Sequence, residues 1–361
     1  MTPIRLLVDS FADEGLPNAQ MTNAREIICR LDSSQFHVSV FSVGSPDRRI
    51  AERPNTRIIP LPRRRQTVRI AREFLLGRHE ILFYLKSSPA SRYYLALRER
   101  WRDKRVVVGT VESQSDLGNE PTISSEAKRL WEQTILRCDY LFGNSSSVQK
   151  SLEREYRLPS RVIPTGVDTK FFIPSAQRKQ NGPLRVLFAG SMRPFKGPQT
   201  VLEAAKRFPG VAFALAGDGM MASELKSFTH REKLQNVEFL GLLSAEQLRV
   251  EYQRADVFLF PSRWEGSPKV ILEAAACGLP VIARKDYEPE TIIDGETGYL
   301  VSSDSEIFSR LEQLLGNAPL RSAFGAAGRK HSERFDWDVI SRQWEEAFID
   351  LAPARGHQHA A

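Results

Sequence analysis

The amino-acid sequence predicts an α/β protein made of two doubly wound domains that face a cleft, and three observations support this fold class. Apolar, β-branched segments of strand length alternate with amphipathic segments of helix length, as in parallel sheets covered by helices. The alternation stops at a polar stretch near the middle of the chain and then starts again. The 361 residues are enough for two domains, each with a core of its own.

The first domain is predicted over residues 1–174. Its strands are short segments rich in apolar or β-branched residues, over 4–11, 37–43, 57–61, 80–85, 106–111, 140–143 and 161–164. Amphipathic segments separate several of them and predict helices over 19–31, 91–101, 124–136 and 146–156. A further helix, rich in arginine, is expected to begin near Thr67.

The polar segment 175–183 ends in Asn-Gly-Pro and predicts a linker to a second domain over 184–336. That domain repeats the pattern, with strands over 184–189, 211–216, 237–240, 257–261, 280–283 and 298–301 and helices over 198–208, 221–233, 245–255 and 268–277. A last helix over 337–351 is expected to pack back toward the first domain, and a frayed tail is expected over 352–361. Because ligands bind at the carboxyl ends of parallel strands, the cleft is the expected site.

Composition excludes several classes of protein. A hydrophobic content of 41% is too high for a disordered chain. No uncharged apolar run approaches the roughly 20 residues of a membrane span, and no secretory signal is visible at the N-terminus. The three cysteines, Cys29, Cys138 and Cys277, are too far apart for a disulfide framework or a cysteine-based zinc site, so we expect a cytoplasmic, reducing location.

Charge is divided unevenly along the chain, whose net charge is +7. Residues 1–180 hold 30 basic and 20 acidic residues, whereas 181–361 hold 21 and 24. Most of the excess lies in 48–105, with 17 basic and 5 acidic residues. Such a segment suits nucleic acid, an anionic membrane or an anionic substrate, and a solvated arginine-rich face is the alternative.

The segment Glu265-Gly-Ser-Pro-Lys-Val-Ile-Leu-Glu273 carries the strongest signal for chemistry. Ser267 and Pro268 are predicted as the N-cap and first residue of a helix. Backbone N–H groups of Gly266 and Ser267 at that helix start suit a phosphate or an anionic sugar group. Glu273 needs donors, such as two ribose hydroxyls, if it is buried. The alternatives are an exposed helix position for Glu273 and a turn-capping carboxylate for Glu265.

Three further loops also follow predicted strands. The loop 190–198 carries Arg193 and Lys196, whose charges together suit a diphosphate, although the Gly-x4-Gly-Lys-Ser/Thr order of a P-loop is absent. Taken alone, two basic residues in a loop are unspecific. The turns at Gly217 and Gly241 suit a nucleobase that bonds their backbone, and a plain tight turn is the alternative.

In their order along the chain, these segments resemble the nucleotide-sugar half of family 4 of the retaining GT-B glycosyltransferases. The resemblance rests on four segments: Gly190-Ser191-x-Arg193-x-x-Lys196-Gly197, Ala216-Gly217-Asp-Gly, Ala255-Asp-Val-Phe-Leu-Phe-Pro-Ser262 and Glu265-x7-Glu273. The segments 162–172 and 290–301 resemble the family as well, so that the likeness covers most of 160–350. The implied fold is GT-B, with two Rossmann-like domains facing a cleft.

The resemblance implies a role for each matching residue. Arg193 and Lys196 would neutralise the donor diphosphate as the sugar leaves, Glu265 and the amides after it would hold the sugar, and Glu273 would bind the ribose. The expected donor site further includes Gly190, Ser191, Gly217, Gly241, Gly266, Ser267 and Pro268. Fixed cations on a leaving diphosphate are electrostatic catalysis, so no dedicated nucleophile is required.

Such enzymes keep the anomeric configuration, and most need no metal or other cofactor. The resemblance therefore implies a UDP- or GDP-linked sugar as donor and a glycan or lipid-linked acceptor, in surface polysaccharide or glycolipid assembly. A nucleotide-sugar epimerase or hydrolase of the same fold is the alternative enzyme. A non-catalytic nucleotide-sugar-binding relative is a third possibility, which the intact Arg193, Lys196, Glu265 and Glu273 speak against.

The first half departs from the family pattern, which often has several glycines in the first strand–helix loop and a histidine after a later strand. Here that loop has one glycine, Gly15, with Asn18 close by, and Glu112 follows the strand 106–111. Gly15, Asn18 and Glu112 are the acceptor-side candidates. For Glu112, a salt bridge to one of the many arginines is the alternative.

Two remaining patterns concern metals and membranes. Asp336 and Asp338 match the Asp-x-Asp motif of metal-dependent glycosyltransferases, but their position at a helix start favours capping, and we predict no metal site. The arginine-rich helix would place Arg65, Arg69 and Arg72 on one side, which suits an anionic membrane surface. We therefore expect 48–105 to hold the protein at the inner face of the cell membrane, and no nucleic-acid-binding module is recognised.

Overall fold

The computed structural model describes residues 2–14, 19–101, 104–112, 124–176 and 182–352. The chain forms two compact units, one of Met1–Pro164 with Trp337–Ala361 and the other of Thr165–Asp336. The second unit begins before the predicted linker 175–183, because Val167 forms a β-bridge with Asp336 and Phe172 belongs to the core of that unit. Part of the linker, 177–181, and nearly all of the predicted tail, 353–361, lie outside the described residues.

The first unit contains a seven-stranded parallel sheet in the order β3-β2-β1-β4-β5-β6-β7. Its strands are β1 Ile4–Phe11, β2 Phe36–Ser42, β3 Thr56–Pro60, β4 Ile81–Phe83, β5 Val106–Val111, β6 Tyr140–Gly143 and β7 Arg161–Val162. Its helices up to β7 are α1 Ala19–Arg30, α2 Arg48–Ala51, α3 Gln66–Leu76, α4 Pro89–Trp101, α5 Ser125–Glu132 and α6 Ser146–Tyr156.

The sheet of the first unit is buried on both faces, as its continuous apolar strands require. Along β1, Ile4, Leu6 and Val8 face a core that includes residues of α1, whereas Leu7 faces a second core that includes residues of α3 and α4. Alternation of side chains along a strand explains why neighbouring residues enter different cores.

The second unit contains a six-stranded parallel sheet in the order β10-β9-β8-β11-β12-β13. Its strands are β8 Arg185–Ala189, β9 Ala212–Ala216, β10 Val237–Gly241, β11 Val257–Phe260, β12 Val281–Arg284 and β13 Gly298–Val301. Its helices are α7 Pro198–Arg207, α8 Ala222–Arg231, α9 Ala245–Arg254, α10 Lys269–Ala276, α11 Asp304–Gly316 and α12 Ala318–Ser332. The α/β fold class is thus confirmed, and every predicted strand is present within a few residues.

The last helix, α13 (Trp337–Leu351), belongs to the first unit, where it lies against α1. Trp337 and Trp344 are both buried in the core shared with α1, and their spacing of seven places them on one face of the helix. The ring of Trp344 lies 4.7 Å from that of Phe83, measured between centroids. The aromatic residues of α13 therefore complete one face of the first sheet.

Candidate functional site

The order of strands in the second unit reverses between β8 and β11, and polar loops follow both strands. Such a switch point is where ligands bind in open α/β sheets. The loop after β8 makes a short 3₁₀ turn, Pro194–Lys196, and then Gly197 adopts a left-handed conformation with φ of 68°. A Cβ at Gly197 would lie 2.8 Å from the carbonyl oxygen of Pro261, so glycine lets this loop pack on the end of β11.

This packing brings together two side chains that were predicted to contact different parts of one ligand. Nζ of Lys196 lies 2.5 Å from Oε1 of Glu265, and the Ser262 hydroxyl donates to the same oxygen at 2.6 Å. Ser262 has no exposed surface, and the side chains of Lys196 and Glu265 are 18% and 11% exposed. The ammonium also lies near the rings of Phe195 and Phe260, at 5.3 and 5.5 Å from their centroids.

Arg193 lies in the same loop but is differently placed. It is exposed, and its guanidinium has no hydrogen-bond or ion-pair partner in the part of the chain that the structure describes. An arginine held on a loop at a ligand-binding edge presents five donors to an anion. The loop after β8 therefore carries one paired cation, Lys196, and one cation, Arg193, whose side chain has no partner among the described residues.

Glycine turns after three neighbouring strands lie side by side. The N–H of Gly190 donates to Ala216 at 3.0 Å, and the N–H of Gly217 donates to Gly241 at 2.7 Å. Gly217 has φ of 132°, and a Cβ there would fall 2.0 Å from the carbonyl oxygen of Gly190. The three turns that were predicted to meet a nucleotide are therefore joined into one backbone surface.

The start of α10 differs from the prediction. The helix begins at Lys269 with Pro268 at the N-cap position and no side-chain cap, so the assignment of Ser267 as N-cap was wrong. The Ser267 hydroxyl is buried without a hydrogen-bond partner. Among the described residues, no acceptor is found for the N–H groups of Gly266 and Ser267. These amides remain able to bind an anionic or polar ligand group.

Glu273 lies in the second turn of α10 and is partly exposed. The hydroxyl of Tyr252, on α9, donates to its Oε2 at 3.0 Å. Burial raises the pKa of Glu273 above its ordinary value, against the opposing influence of Lys269 and the tyrosine hydrogen bond. Sequence reasoning expected a buried carboxylate in need of donors, and Tyr252 is a donor that it missed.

In the first unit, Glu112 lies at the carboxyl end of β5. Its Oε1 accepts hydrogen bonds from Nδ2 of Asn23, at 2.9 Å, and from the Tyr84 hydroxyl. Its backbone carbonyl accepts from Asn144 at 2.6 Å, and the side-chain oxygen of Asn144 is buried without a partner. An amide and a phenol thus donate to one oxygen of this carboxylate. Two other acceptor-side candidates, Gly15 and Asn18, lie outside the described residues.

A second polar group at this edge was not singled out from the sequence. Asp9, near the end of β1, accepts the backbone N–H of Lys86 at 2.8 Å, and the Lys86 ammonium lies 4.1 Å from the Phe11 ring centroid. Burial raises the pKa of Asp9 to about 6 and lowers that of Lys86. β1 and β4 flank the reversal of strand order in this sheet, so the pair marks its switch point.

The structure gives other roles to the Asp-x-Asp residues. Asp336 accepts the N–H of Thr169 at 3.1 Å, and Asp338 pairs with Arg30 at 2.9 Å. Over the described ranges, no group of three or more histidine, cysteine, aspartate or glutamate side chains is arranged to hold a metal ion. No helix in those ranges is long and apolar enough to cross a membrane.

Two family descriptions match the chain and together cover most of it. Residues 22–171 match Glycosyltransferase Family 4, and residues 169–331 match Glycosyl transferases group 1. The D-inositol 3-phosphate glycosyltransferase of Corynebacterium diphtheriae is 31% identical, over 64% of this chain and 61% of that protein. A GDP-mannose-dependent alpha-(1-6)-phosphatidylinositol monomannoside mannosyltransferase of Mycolicibacterium smegmatis is 28% identical, over 84% and 83%. The chain spans 61% to 64% of the length of three curated relatives that it matches.

Solved structures share the fold along nearly the whole chain. Sucrose-phosphate synthase from Thermosynechococcus elongatus has a TM-score of 0.81 at 22% identity, covering 97% of this chain and 99% of that one. HepE of Anabaena, in complex with UDP and glucose, has a TM-score of 0.77 at 18% identity, covering 96% and 99%. The chain therefore belongs to the group 1, family 4 glycosyltransferases and has the GT-B fold of two Rossmann-like domains.

Proposed function

We propose that this protein is a retaining glycosyltransferase that moves a sugar from a nucleotide-diphosphate sugar to an acceptor in surface polysaccharide or glycolipid assembly. One observation carries the proposal: a cation and a carboxylate, Lys196 and Glu265, meet at the switch point of the second sheet. Beside them lie the joined glycine turns and the amides before α10, for which no acceptor is found among the described residues. This edge offers charge for a diphosphate and hydrogen bonds for a sugar.

In this proposal the chemistry is electrostatic. As the bond between the sugar and the diphosphate breaks, negative charge grows on the leaving oxygen, and Arg193 and Lys196 stabilise it. The leaving diphosphate then accepts the proton of the attacking acceptor hydroxyl on the same face of the sugar, which preserves the anomeric configuration. Because these side chains supply the positive charge, no metal cofactor is invoked, and EDTA is expected to leave the rate unchanged.

The remaining donor contacts follow from the same edge. Glu265, with the amides of Gly266 and Ser267 and the adjoining Pro268, holds the sugar. Glu273 accepts hydrogen bonds from the ribose hydroxyls, since a carboxylate whose pKa burial raises gains from added donors. The backbone of the turns at Gly190, Ser191, Gly217 and Gly241 surrounds the diphosphate and the base.

The names of relatives narrow the donor and the acceptor. One relative is named as a GDP-mannose-dependent mannosyltransferase of a phosphatidylinositol monomannoside, and others are named as D-inositol 3-phosphate glycosyltransferases. We accordingly propose a UDP- or GDP-linked donor and an acceptor that is a glycan or is linked to a lipid. The acceptor-side residue in the described part of the first unit is Glu112, whose amide and phenol neighbours suit a hydroxylated ligand.

We further propose that 48–105 rests on an anionic membrane at the cytoplasmic face. In α3, Val68 and Leu76 are 66% and 71% exposed and Arg72 is exposed as well, as is Arg65 directly before the helix. Arg69, which was expected to join them, instead pairs with Glu73 at 3.3 Å. An exposed helix face that mixes apolar and basic residues suits a lipid interface.

The test is a screen with the purified protein and UDP-glucose, GDP-mannose and related nucleotide sugars. We expect a thermal shift with the matching nucleoside diphosphate, slow donor hydrolysis without acceptor, and loss of the shift on Arg193→Ala. A converted nucleotide sugar, recovered intact as its epimer, would favour the alternative of an epimerase. Binding of a nucleotide sugar without turnover, whichever acceptor is added, would favour the non-catalytic relative. A protein that binds no nucleotide would exclude the transferase, the epimerase or hydrolase, and the binding relative alike.

A further inference from the structure

Ser262 is a buried serine that neither the family descriptions nor the sequence motifs assign to a function, although it contacts the centre of the candidate donor site. We propose that Ser262 is a positioning residue that keeps Glu265 oriented when Lys196 leaves that carboxylate for the donor diphosphate. The inference rests on the proposed function, and it deepens that function by describing a change of partners on donor binding.

One oxygen of the Glu265 carboxylate is contacted by two donors. Oε1 of Glu265 receives both the Ser262 hydroxyl, at 2.6 Å, and the Lys196 ammonium, at 2.5 Å. A carboxylate oxygen has two lone pairs, so these two donors saturate it. One of the three N–H donors of Lys196 is therefore directed to Glu265 while this arrangement lasts.

The two donors differ in how firmly they are held. Ser262 lies just after β11, has no exposed surface, and can reach Glu265 by rotation about a single side-chain bond. The hydroxyl lies 2.6 Å from Glu265 but 3.4 Å from its other possible acceptor, the Phe195 carbonyl, so its proton is directed to Glu265. Lys196 instead ends a flexible chain of methylene groups.

A diphosphate is a stronger competitor than a single carboxylate for the Lys196 ammonium, because it carries more charge on more oxygens. When Lys196 turns to that anion, Glu265 loses a charged partner while remaining nearly buried. The Ser262 hydroxyl then provides the hydrogen bond that keeps the carboxylate in one orientation for the sugar. Without it, the carboxylate is free to rotate at the moment when its orientation matters.

The experiment compares Ser262→Ala with Ser332→Ala in the full chain. Ser332 is an equally buried serine of the same unit, and its hydroxyl donates to a backbone carbonyl, that of Arg329, at 2.7 Å. The probes are UDP, GDP, UDP-glucose and GDP-mannose, with affinity measured by calorimetry. Turnover is measured as donor hydrolysis.

For Ser262→Ala we expect the affinity for the nucleoside diphosphate to stay within about threefold of wild type, because Lys196 is retained. The affinity for the nucleotide sugar, relative to that for the nucleoside diphosphate, should fall by about tenfold to a hundredfold, and kcat should fall by a similar factor. This is the effect of losing a hydrogen bond to a charged group. Ser332→Ala should change neither. Ser262→Cys, which keeps a weak donor of similar size, should give intermediate values and also serves if the alanine variant does not fold.

If the wild type binds and turns over a nucleotide sugar, and Ser262→Ala and Ser332→Ala have the same affinities and kcat, this inference is overturned but the proposed function is not. A wild type that binds none of the four probes would overturn the proposed function and this inference with it. A double variant gives an independent check: in the Glu265→Ala background, removal of the Ser262 hydroxyl should cause no further loss of kcat. A further loss there would show that Ser262 acts by another route.

Discussion

Lys196 is a nearly buried cation whose partner, Glu265, belongs to the same proposed site. We expect Lys196→Ala to lower kcat/KM by a factor on the order of 10²–10³, which is about 3–4 kcal/mol of transition-state stabilisation. The reason is that Lys196 would stabilise charge that appears only as the donor breaks. Initial rates at several donor concentrations measure the effect.

The control for this change is Lys206→Ala. Lys206 pairs with Glu232 at 2.7 Å, as Lys196 pairs with Glu265, but its side chain is 53% exposed and lies on α7. It should leave kcat/KM unchanged. If both variants retained the wild-type rate, the role assigned to Lys196 would have to be abandoned.

Asp9 provides a prediction about pH. Its pKa is raised to about 6 from 3.8, so the folded protein holds this proton in a window where the unfolded chain has lost it. The stability that this carboxyl contributes is fully present below the unfolded pKa of 3.8 and is lost as the pH rises through the folded pKa of about 6. The loss in the free energy of unfolding is up to about 3 kcal/mol. Asp9→Asn should lack this loss. Its free energy of unfolding, relative to that of the wild type, should therefore rise between pH 4 and 7.

Urea unfolding of the wild type and of Asp9→Asn between pH 4 and 7 measures the difference in their free energies of unfolding. The matched control is Asp32→Asn: hydrogen bonds from Gln35 and Ser34 lower the pKa of Asp32, so its removal should not produce a rise of this sign. A difference between wild type and Asp9→Asn that stays constant with pH would show that Asp9 titrates normally in the folded protein.

At the scale of residues, sequence reasoning found the types of group at the site but not how they meet. Lys196 and Glu265 were given separate ligand contacts because a separation of 69 residues carries no information on side-chain distance. The Tyr252 hydroxyl on Glu273 and the amide and phenol on Glu112 were missed for the same reason. Each of these contacts depends on which helices and strands the fold brings together. The periodicity of apolar residues does not contain that information.

Among the elements, the glycine turns after β8, β9 and β10 depend most strongly on the identity of one residue. Gly217→Ala should lower the free energy of unfolding of the second unit by at least about 3 kcal/mol, because the added Cβ overlaps the backbone of Gly190 at a φ that alanine avoids. Gly241→Ala should cost only about 1–2 kcal/mol, since its φ is also positive but the space beside it is open.

Denaturant unfolding with a probe in the second unit, such as Trp264 fluorescence, compares the two variants. Donor affinity should follow the same order, because both turns belong to the proposed nucleotide surface. Equal, small losses for Gly217 and Gly241 would indicate that the three turns are not held together as the structure shows.

Most elements were predictable from the sequence because their apolar periodicity is strong, but the helices α2, α11 and α12 were not assigned. In α12 the glycines Gly325 and Gly328 lower the intrinsic helix propensity. The structure shows why they are there: a Cβ at Gly325 would fall 2.1 Å from the carbonyl oxygen of Gly278. Close contact with the end of α10 thus overrides local preference, and only the packed unit reveals it.

For the whole molecule, the charge division is the feature that a single site does not explain. The second unit keeps its proposed cations, Arg193 and Lys196, at the donor edge, whereas the excess of positive charge lies in 48–105 of the first unit. Exposed arginines and the exposed apolar residues of α3 fall in that same segment. A shared role for the charge and the apolar residues, such as contact with a lipid surface, accounts for both.

The triple variant Arg64→Ser, Arg65→Ser, Arg72→Ser should therefore weaken binding to vesicles that contain anionic phospholipid by about a hundredfold, at about 1 kcal/mol for each arginine lost. Its control is Arg207→Ser, Arg231→Ser, Arg334→Ser, which removes three exposed arginines from the second unit and the same total charge. Co-sedimentation with anionic and with neutral vesicles, at low and at high salt, measures both. Equal weakening by the two variants would assign membrane binding to net charge alone, and wild-type binding that is indifferent to lipid charge would remove α3 as a membrane contact.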